Sequence, residues 1–452
     1  MRVVTAAQMR VADQRTIVAG TSQETLMERA AKGVVDTLEG EYGSVAGRRA
    51  VVICGPGNNG GDGLLAAQIL RDRAAIVQVV RVKDAPVALD PEADFVIDAL
   101  LGTGFRGEVT GRFADLIHAM NHHFPHAKVI AVDIPSAMQV RADCTVTFAA
   151  PKAEMLLHPS AHLSGKIIVH DIGIPDPFLP SGLFLSEPQE FVHLFQPRRR
   201  DAHKGDFGHV LVVGGAPGKT GAAAMAGLSA LRMGAGWVTV ACSDPSRLAV
   251  ELLSEPLESF TLARKTVVAV GPGLGMDQAM VQRLMEIAQV PMVLDADALN
   301  SIAGTAFHGR GVTTILTPHP GEMARLMGVS SPAEVGDRVT AAREFTRQRN
   351  VCLVLKGFRT LVAIPDGNVF INPTGSPALA KAGSGDILTG LIAGMVAQFP
   401  DHLMDAVRAA VWLHGRLGEL AAERWTEFGV LATDLLGELP LAIREIRAGR
   451  SA

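Results

Sequence analysis

Asp386 stands at the end of Asn372-Pro-Thr-Gly-Ser-Pro-Ala-Leu-Ala-Lys-Ala-Gly-Ser-Gly-Asp386, just before an apolar run from Ile387 to Phe399. Glycines at 383 and 385 let the backbone turn tightly and approach a ligand closely. If the apolar run is helical, its first N–H groups have no intrahelical partner and the dipole there is positive. Such an end holds an anion, typically phosphate. A carboxylate in that place suits a base that takes the proton of a hydroxyl attacking a phosphoryl group. The competing role for one Asp before one helix is a plain cap. The small residues crowded before Asp386 favour the ligand site.

Other constellations have the same character. Gly55-Pro-Gly-Asn-Asn-Gly-Gly-Asp62-Gly63 packs glycines and two asparagines into one strand-to-helix turn. Asn58 and Asn59 offer amides for a ribose, another amide or a monovalent cation, while Asp62 argues against a simple phosphate cradle. The alternative is a turn built of turn-prone residues. Asp98 ends an apolar strand, either as a functional carboxylate or as a satisfied polar strand end. His319 is held between two prolines, and its plain reading is a surface turn histidine. Lys356-Gly-Phe-Arg-Thr360 puts an ammonium, a permissive glycine and a hydroxyl at one strand end, which suits an adenylate phosphate; an ordinary hairpin entry is the alternative. Asp295 and Asp297 either serve magnesium or cap the next helix. One further motif is rejected and one is weak. Lys219 and Thr220 follow Gly218, but no glycine stands five residues before it, so this is no Walker-type phosphate loop. Gly102-Thr-Gly104-Phe-Arg-Gly107 fits G-x-G-x-x-G, yet no acidic residue closes a second strand about 20 residues on, as that fingerprint expects.

The elements that must position these residues follow from apolar patterning. Residues 5 to 39 read as helical with a break near Gly20. Short apolar strands then alternate with helices: Arg49 to Cys54, Ile76 to Val80, Phe95 to Asp98 and Val129 to Asp133. Asn58 to Asp62, Asp98, Gly102 and Asp133 all fall at strand C-termini, the edge where open parallel sheets bind ligands. Residues 172 to 203 are rich in proline and charge, so a boundary is placed there. The pattern restarts with strands near 209, 237, 266, 292, 314 and 351, a hairpin about Pro365-Asp-Gly, and further helices. A small-residue helix from Ala222 to Met233 would allow close backbone approach. The expectation is an α/β protein of two three-layer αβα domains, residues 1–190 and 191–452.

Composition sets bounds. With 452 residues, 48% hydrophobic and 19% charged, the chain builds sizeable cores and is not disordered. A net charge of −4 gives no sign of nucleic-acid or membrane-surface binding. Arg198 to Arg200 is read as solvated linker. The four cysteines show no metal or redox spacing. No signal-peptide core and no membrane-spanning run is seen, and a reducing cytoplasm is expected.

Taken together the motifs carry a resemblance. Residues from about 200 to 445 resemble the ADP/ATP-dependent NAD(P)H-hydrate dehydratase family, a branch of the ribokinase-like fold. The matches are His203-Lys-Gly-Asp-Phe-Gly-His209, Gly271-Pro-Gly-Leu-Gly275, Asp295-Ala-Asp-Ala-Leu-Asn300, Leu316-Thr-Pro-His-Pro-Gly-Glu322 and Asn372-Pro-Thr-Gly to Gly383-Ser-Gly-Asp386. Residues from about 5 to 175 resemble the NAD(P)H-hydrate epimerase family. Here the matches are Leu26-Met-Glu-Arg-Ala-Ala31, Asn58-Asn-Gly-Gly-Asp62, Asp98 to Glu108, Val132-Asp-Ile-Pro-Ser136 and Ala150-Pro-Lys-Ala.

The resemblance implies a Rossmann-like epimerase domain that interconverts the R and S hydrates of NADH and NADPH. It also implies a domain that removes the S hydroxyl using ADP (or ATP) with Mg2+. It implies K+ at Asn59, Asp98 and Ser136, with Asp98 also catalytic. The hydrate would be lined in the first domain by Asn58, Asn59, Gly60, Gly61, Asp62, Gly102, Thr103, Gly104, Phe105, Arg106, Gly107, Glu108 and Asp133. In the second domain Ala222, Gly273, His319 and Asp386 would contact it, with Asp386 as catalytic base. Lys356, Gly357, Phe358, Arg359, Thr360 and Gly385 would hold the adenylate. A homo-oligomer is expected. The alternative is a kinase for a hydroxymethylpyrimidine or sugar-like molecule, with a non-catalytic nucleotide-binding N-terminal domain. The chain departs from the family at Ala137, where glycine is usual and the following loop is longer, and at Lys381, where a small or hydroxyl residue is expected.

Overall fold

The computed structural model describes residues 1–84, 87–180, 182–309 and 311–449. The chain forms two compact units, Met1–Ser181 and Gly182–Ala452. Residues 182–190, assigned to the first domain by the sequence boundary, belong to the second unit.

The first unit opens with helices Ala6–Val18 and Gln23–Tyr42, each started by a side-chain cap from Thr5 and Ser22. Its sheet has six strands: β1 (Arg49–Cys54), β2 (Ile76–Arg81), β3 (Phe95–Ala99), β4 (Lys128–Val132), β5 (Cys144–Phe148) and β6 (Lys166–His170). All pair in parallel, in the order β2-β1-β3-β4-β5-β6. Successive strand residues point to opposite faces. Accordingly Ala50, Val52 and Cys54 enter a core with Val34 and Leu70, while Val51 and Ile53 enter another with Leu116 and Met120. Burial on both faces explains the near-continuous apolar strands. The strand order reverses between β1 and β3, so the crevice of this sheet opens beyond their C-terminal ends.

The second unit has a ten-stranded sheet. Its strands are β7 (Leu183–Leu185), β8 (His209–Val213), β9 (Trp237–Cys242), β10 (Leu253–Pro256), β11 (Val267–Val270), β12 (Met292–Leu294), β13 (Thr314–Leu316), β14 (Cys352–Leu355), β15 (Leu361–Ala363) and β16 (Val369–Ile371). The order is β10-β9-β8-β11-β12-β13-β14-β15-β16-β7. The pairs β14–β15 and β15–β16 are antiparallel, as the hairpin expectation requires. Here the switch falls between β8 and β11. Beside it, helices Thr220–Met233 and Ser384–Gln398 pack backbone to backbone. A Cβ on Gly390 would stand 2.1 Å from Ala226 O, and one on Gly394 2.6 Å from Ala230 O. Among the described residues no helix is long and apolar enough to cross a membrane.

Candidate active sites

In the second unit, Asp386 lies in the first turn of the helix Ser384–Gln398, whose N-cap is Gly383 in the left-handed conformation (φ 94°). No side chain caps this end; Ser384 N donates to Lys381 O at 3.3 Å, and the Asp386 carboxylate accepts no hydrogen bond among the described residues. The cap role considered from sequence is therefore not the one it plays. Burial pushes its carboxyl up to about 6, helped by the Asp295 charge and opposed by Lys356.

Asp295 follows β12 and is buried. Its Oδ1 accepts from Lys356 Nζ at 2.8 Å and its Oδ2 from Thr389 Oγ1 at 2.8 Å, so it does not cap the next helix. Lys356 follows β14. Burial disfavours its charge, but Asp295 and Glu322 more than restore it, so its pKa is raised. Gly385 is directly above: a Cβ there would meet Lys356 Nζ at 3.4 Å and Asp295 Oδ2 at 3.8 Å. The ammonium, the glycine and Asp386 thus share one spot. Residues 356–360 form the loop between β14 and β15, with Gly357 at φ 138° and Arg359 at φ 54°. Arg338 fixes this loop, donating to Phe358 O at 2.8 Å and Leu355 O at 3.2 Å. Thr360 Oγ1 bonds back to Gly357 O, and Phe358 is exposed.

His319 starts the helix Pro320–Met327. Its Nδ1 accepts from the N–H groups of Gly321 (3.0 Å) and Glu322 (3.3 Å), and its Nε2 lies 3.5 Å from Glu322 Oε1. Ala222 lies beside Gly273, where a Cβ would come 3.2 Å from the Ala222 methyl. Asp297 Oδ2 accepts from Gly275 N (2.7 Å) and Lys219 Nζ (3.3 Å). Lys381 reaches the carbonyls of Phe428 (2.8 Å) and Val430 (2.5 Å), tying the loop before Asp386 to the end of the helix Leu403–Gly429.

In the first unit a cavity of about 460 Å³ opens at the β1/β3 switch. Asn58, Asn59, Asp62, Gly102 to Phe105 and Asp133 line it. Gly60, Gly61, Arg106, Gly107 and Glu108 are not among its lining residues. The sequence placed Asn58 to Gly63 in a turn; they form the start of the helix Asn58–Asp72. This is possible because Gly60 presses on the preceding backbone, where a Cβ would stand 1.9 Å from Gly55 O. Asn59 is buried, and neither atom of its amide has a partner. Asp98 is fully buried. It accepts from Ser136 N (2.8 Å), Ser136 Oγ (2.5 Å) and Leu100 N (3.2 Å). Burial raises its carboxyl to about 6 against the pull of those three donors. Leu101 N donates to Ser136 Oγ at 2.8 Å, and Gly102 packs on the Asn59 side chain. Asp98 and Ser136 are thus bonded to each other and to the Leu100–Leu101 backbone, and Asn59 packs on the adjoining Gly102. Ala137, which departs from the family glycine, adopts φ 54°.

The sequence reading missed several participants. Lys152 is fully buried and donates to Asp133 Oδ1 (2.5 Å), Thr147 Oγ1 (2.8 Å) and Phe148 O (3.1 Å). Asp13, on the first helix, lines the same cavity. Arg338 and Thr389 support the second site. His414 is half-buried and bonds Ser384 O at 2.9 Å; loss of solvent drops its pKa to about 4, so it is neutral and donates. Lys152 had a signal, since Ala150-Pro-Lys follows directly on a strand. The others converge only in space.

Two family models match the chain: NAD(P)H-hydrate dehydratase over residues 210–441, and YjeF-related protein N-terminus over residues 23–90 and 81–154. A bifunctional NAD(P)H-hydrate repair enzyme of Moorella thermoacetica is 38% identical, over 99% of this chain and 97% of its own length. The chain belongs to the bifunctional NAD(P)H-hydrate repair enzymes. The Escherichia coli member is 32% identical over 93% of this chain and 90% of its own length. The second unit of this family member is similar to a solved ADP/ATP-dependent NAD(P)H-hydrate dehydratase of Bacillus subtilis, co-crystallised with ATP and Mg2+. That structure matches with a TM-score of 0.54 and 34% identity, covering 59% of this chain and 99% of its own. The ribokinase-like expectation for the second unit holds.

Proposed function

We propose that the first unit interconverts the R and S hydrates of NADH and NADPH, and that the second converts the S hydrate to the reduced cofactor using ADP. The carrying observation is Asp386 without an internal partner, in an uncapped helix turn whose Gly385 lies on the Lys356–Asp295 pair. In this reading Asp386 takes the proton of the C6 hydroxyl as that oxygen attacks the terminal phosphoryl of ADP. The helix N–H groups and Lys356 stabilise the charge on the moving phosphoryl. The phosphate ester then leaves as the ring nitrogen pushes electrons toward C6, and loss of a C5 proton restores the ring. Ala222, Gly273 and His319 hold the hydrate; residues 356–360 hold the adenylate. Mg2+ would shield phosphate charge, and Asp297, with one oxygen unpartnered among the described residues, fits as a direct or water-mediated ligand.

In the first unit K+ at Asn59, Asp98 and Ser136 accounts for an otherwise orphaned buried amide, since an oxygen donor set suits a hard cation. Gly102 to Phe105 and Asp133 line the hydrate, and Asp98 holds the K+ site together. Four buried thiols accord with a cytoplasmic setting, and a homo-oligomer is part of the same reading. Family membership favours this function over a small-molecule kinase with a non-catalytic first domain.

Pure S hydrate supplied with ADP and Mg2+ tests it. The near-ultraviolet absorbance of reduced nicotinamide should return in step with AMP and phosphate. No recovery with either ADP or ATP would overturn the reading, and a stable phosphorylated product would favour the kinase.

A further inference from the structure

The cavity of the first unit holds charged groups that cation binding does not explain. Asp133 and Lys152 neutralise each other on one wall. Asp62 and Asp13 line the same cavity, and among the described residues neither forms an ion pair. Asp62 is 9% exposed, and its Oδ1 is buried without any hydrogen-bond partner. A buried carboxylate with a bare oxygen is expensive, whereas a carboxylic acid there is tolerated and has a proton to give. We propose that Asp62, as a protonated carboxyl, is the general acid of the epimerisation, and that its buried place beside the Asp133 and Asp13 charges keeps the proton on it.

The step follows from the substrate's chemistry and rests on the epimerase reading above. C6 of the hydrate carries both a hydroxyl and the ring nitrogen. Asp62 gives its proton to the hydroxyl oxygen; the C6–O bond breaks and water leaves. The nitrogen lone pair forms a C6–N double bond, so C6 becomes planar. Water adds to the other face, and the proton it sheds returns to the Asp62 carboxylate through cavity water. Nothing is oxidised, and atoms and protons balance over the cycle. Asp62 meets the reacting oxygen and is a catalytic residue; Asp13 is a positioning residue that acts through it.

Asp133, Lys152 and Arg10 are the other charged groups lining this cavity. Burial pushes the Asp62 carboxyl up to about 8, with the charges of Asp133 and then Asp13 adding to it. Burial likewise lifts Asp13 to about 6. The acid form works, so the rate should hold below about pH 8 and fall as pH rises through it. Removing the Asp13 charge makes ionised Asp62 easier to form, which moves that fall to lower pH.

The test uses the full chain, constant K+, pure R hydrate and no nucleotide, with the two hydrates separated by chromatography. Wild type should outpace buffer and show the alkaline fall. Asp62→Asn should lose about 100-fold or more, while dehydrating S hydrate normally when ADP and Mg2+ are added. Asp13→Asn should keep the activity with its alkaline fall displaced downward, a readout that a purely structural role would not move. An Asp62→Asn variant that epimerises like wild type with the same fall overturns the proposal; so does an Asp13→Asn variant whose fall stays in place. If wild type itself does not outpace buffer, the epimerase reading fails instead.

Discussion

A Cβ built on Gly385 would stand 3.4 Å from Lys356 Nζ, so the helix backbone and the ammonium share one spot. Gly385 is inside the first helical turn, where alanine is a good helix former. Gly385→Ala should therefore fold normally while placing a methyl in contact with the ammonium, where the proposed phosphates would approach. Nucleotide affinity should fall by about tenfold, the ratio given by about 1.4 kcal/mol. Calorimetric titration with ADP checks this, and unchanged affinity would separate Gly385 from the nucleotide.

Asp386 is raised to about 6. A base must be ionised to act, so dehydration should be lost as pH falls through about 6 and level off above it. Asp386→Asn should lose about 10²- to 10⁴-fold in kcat, the usual worth of a general base, and should erase the acid limb. A pH profile of S-hydrate dehydration measures both.

Gly390→Ala probes the packing of helix Ser384–Gln398 on helix Thr220–Met233. The added methyl would come 2.1 Å from Ala226 O and 2.6 Å from Ser229 Cβ. Neither backbone can move without disturbing β8 and the Ala222 turn. Urea unfolding should show a loss of about 1–3 kcal/mol or more from overpacking, far outside the effect of alanine in an open helix.

Strand and helix alternation was legible because strands buried on both faces are apolar throughout, as at Ala50 to Cys54 and Val210 to Val213. The hairpin at Pro365-Asp-Gly367 was legible from turn chemistry. Strand β5 was not, because Thr145 and Thr147 look polar; both are buried, with Thr145 bonded to Ser164 O at 2.7 Å. Strand β7 was hidden in a proline-rich stretch, since its partner is the distant β16. The chemistry of Asp386, Lys356 and Asp98 showed at strand and helix ends. Asp13, Thr389 and His414 did not, since each reaches its site from an unremarkable place on a helix.

Ala137 carries its methyl in the left-handed region at φ 54°, which strains an L-residue by roughly 1–2 kcal/mol. Glycine removes that strain but is more flexible when unfolded, an opposing effect of about 0.5–1 kcal/mol. Ala137→Gly should leave the protein as stable or more stable by up to about 1 kcal/mol, read as an equal or higher melting temperature. A fall would mean that Ala137 packs against the second core in a way the backbone strain does not outweigh.

The central claim is that one chain performs both repairs. Pure R hydrate, given to the full chain with ADP, Mg2+ and K+, tests it in a single measurement. Reduced nicotinamide should return faster than spontaneous epimerisation allows, and not at all within that time with Asp386→Asn. Recovery limited to the spontaneous rate, while S hydrate is restored at full speed, would contradict it.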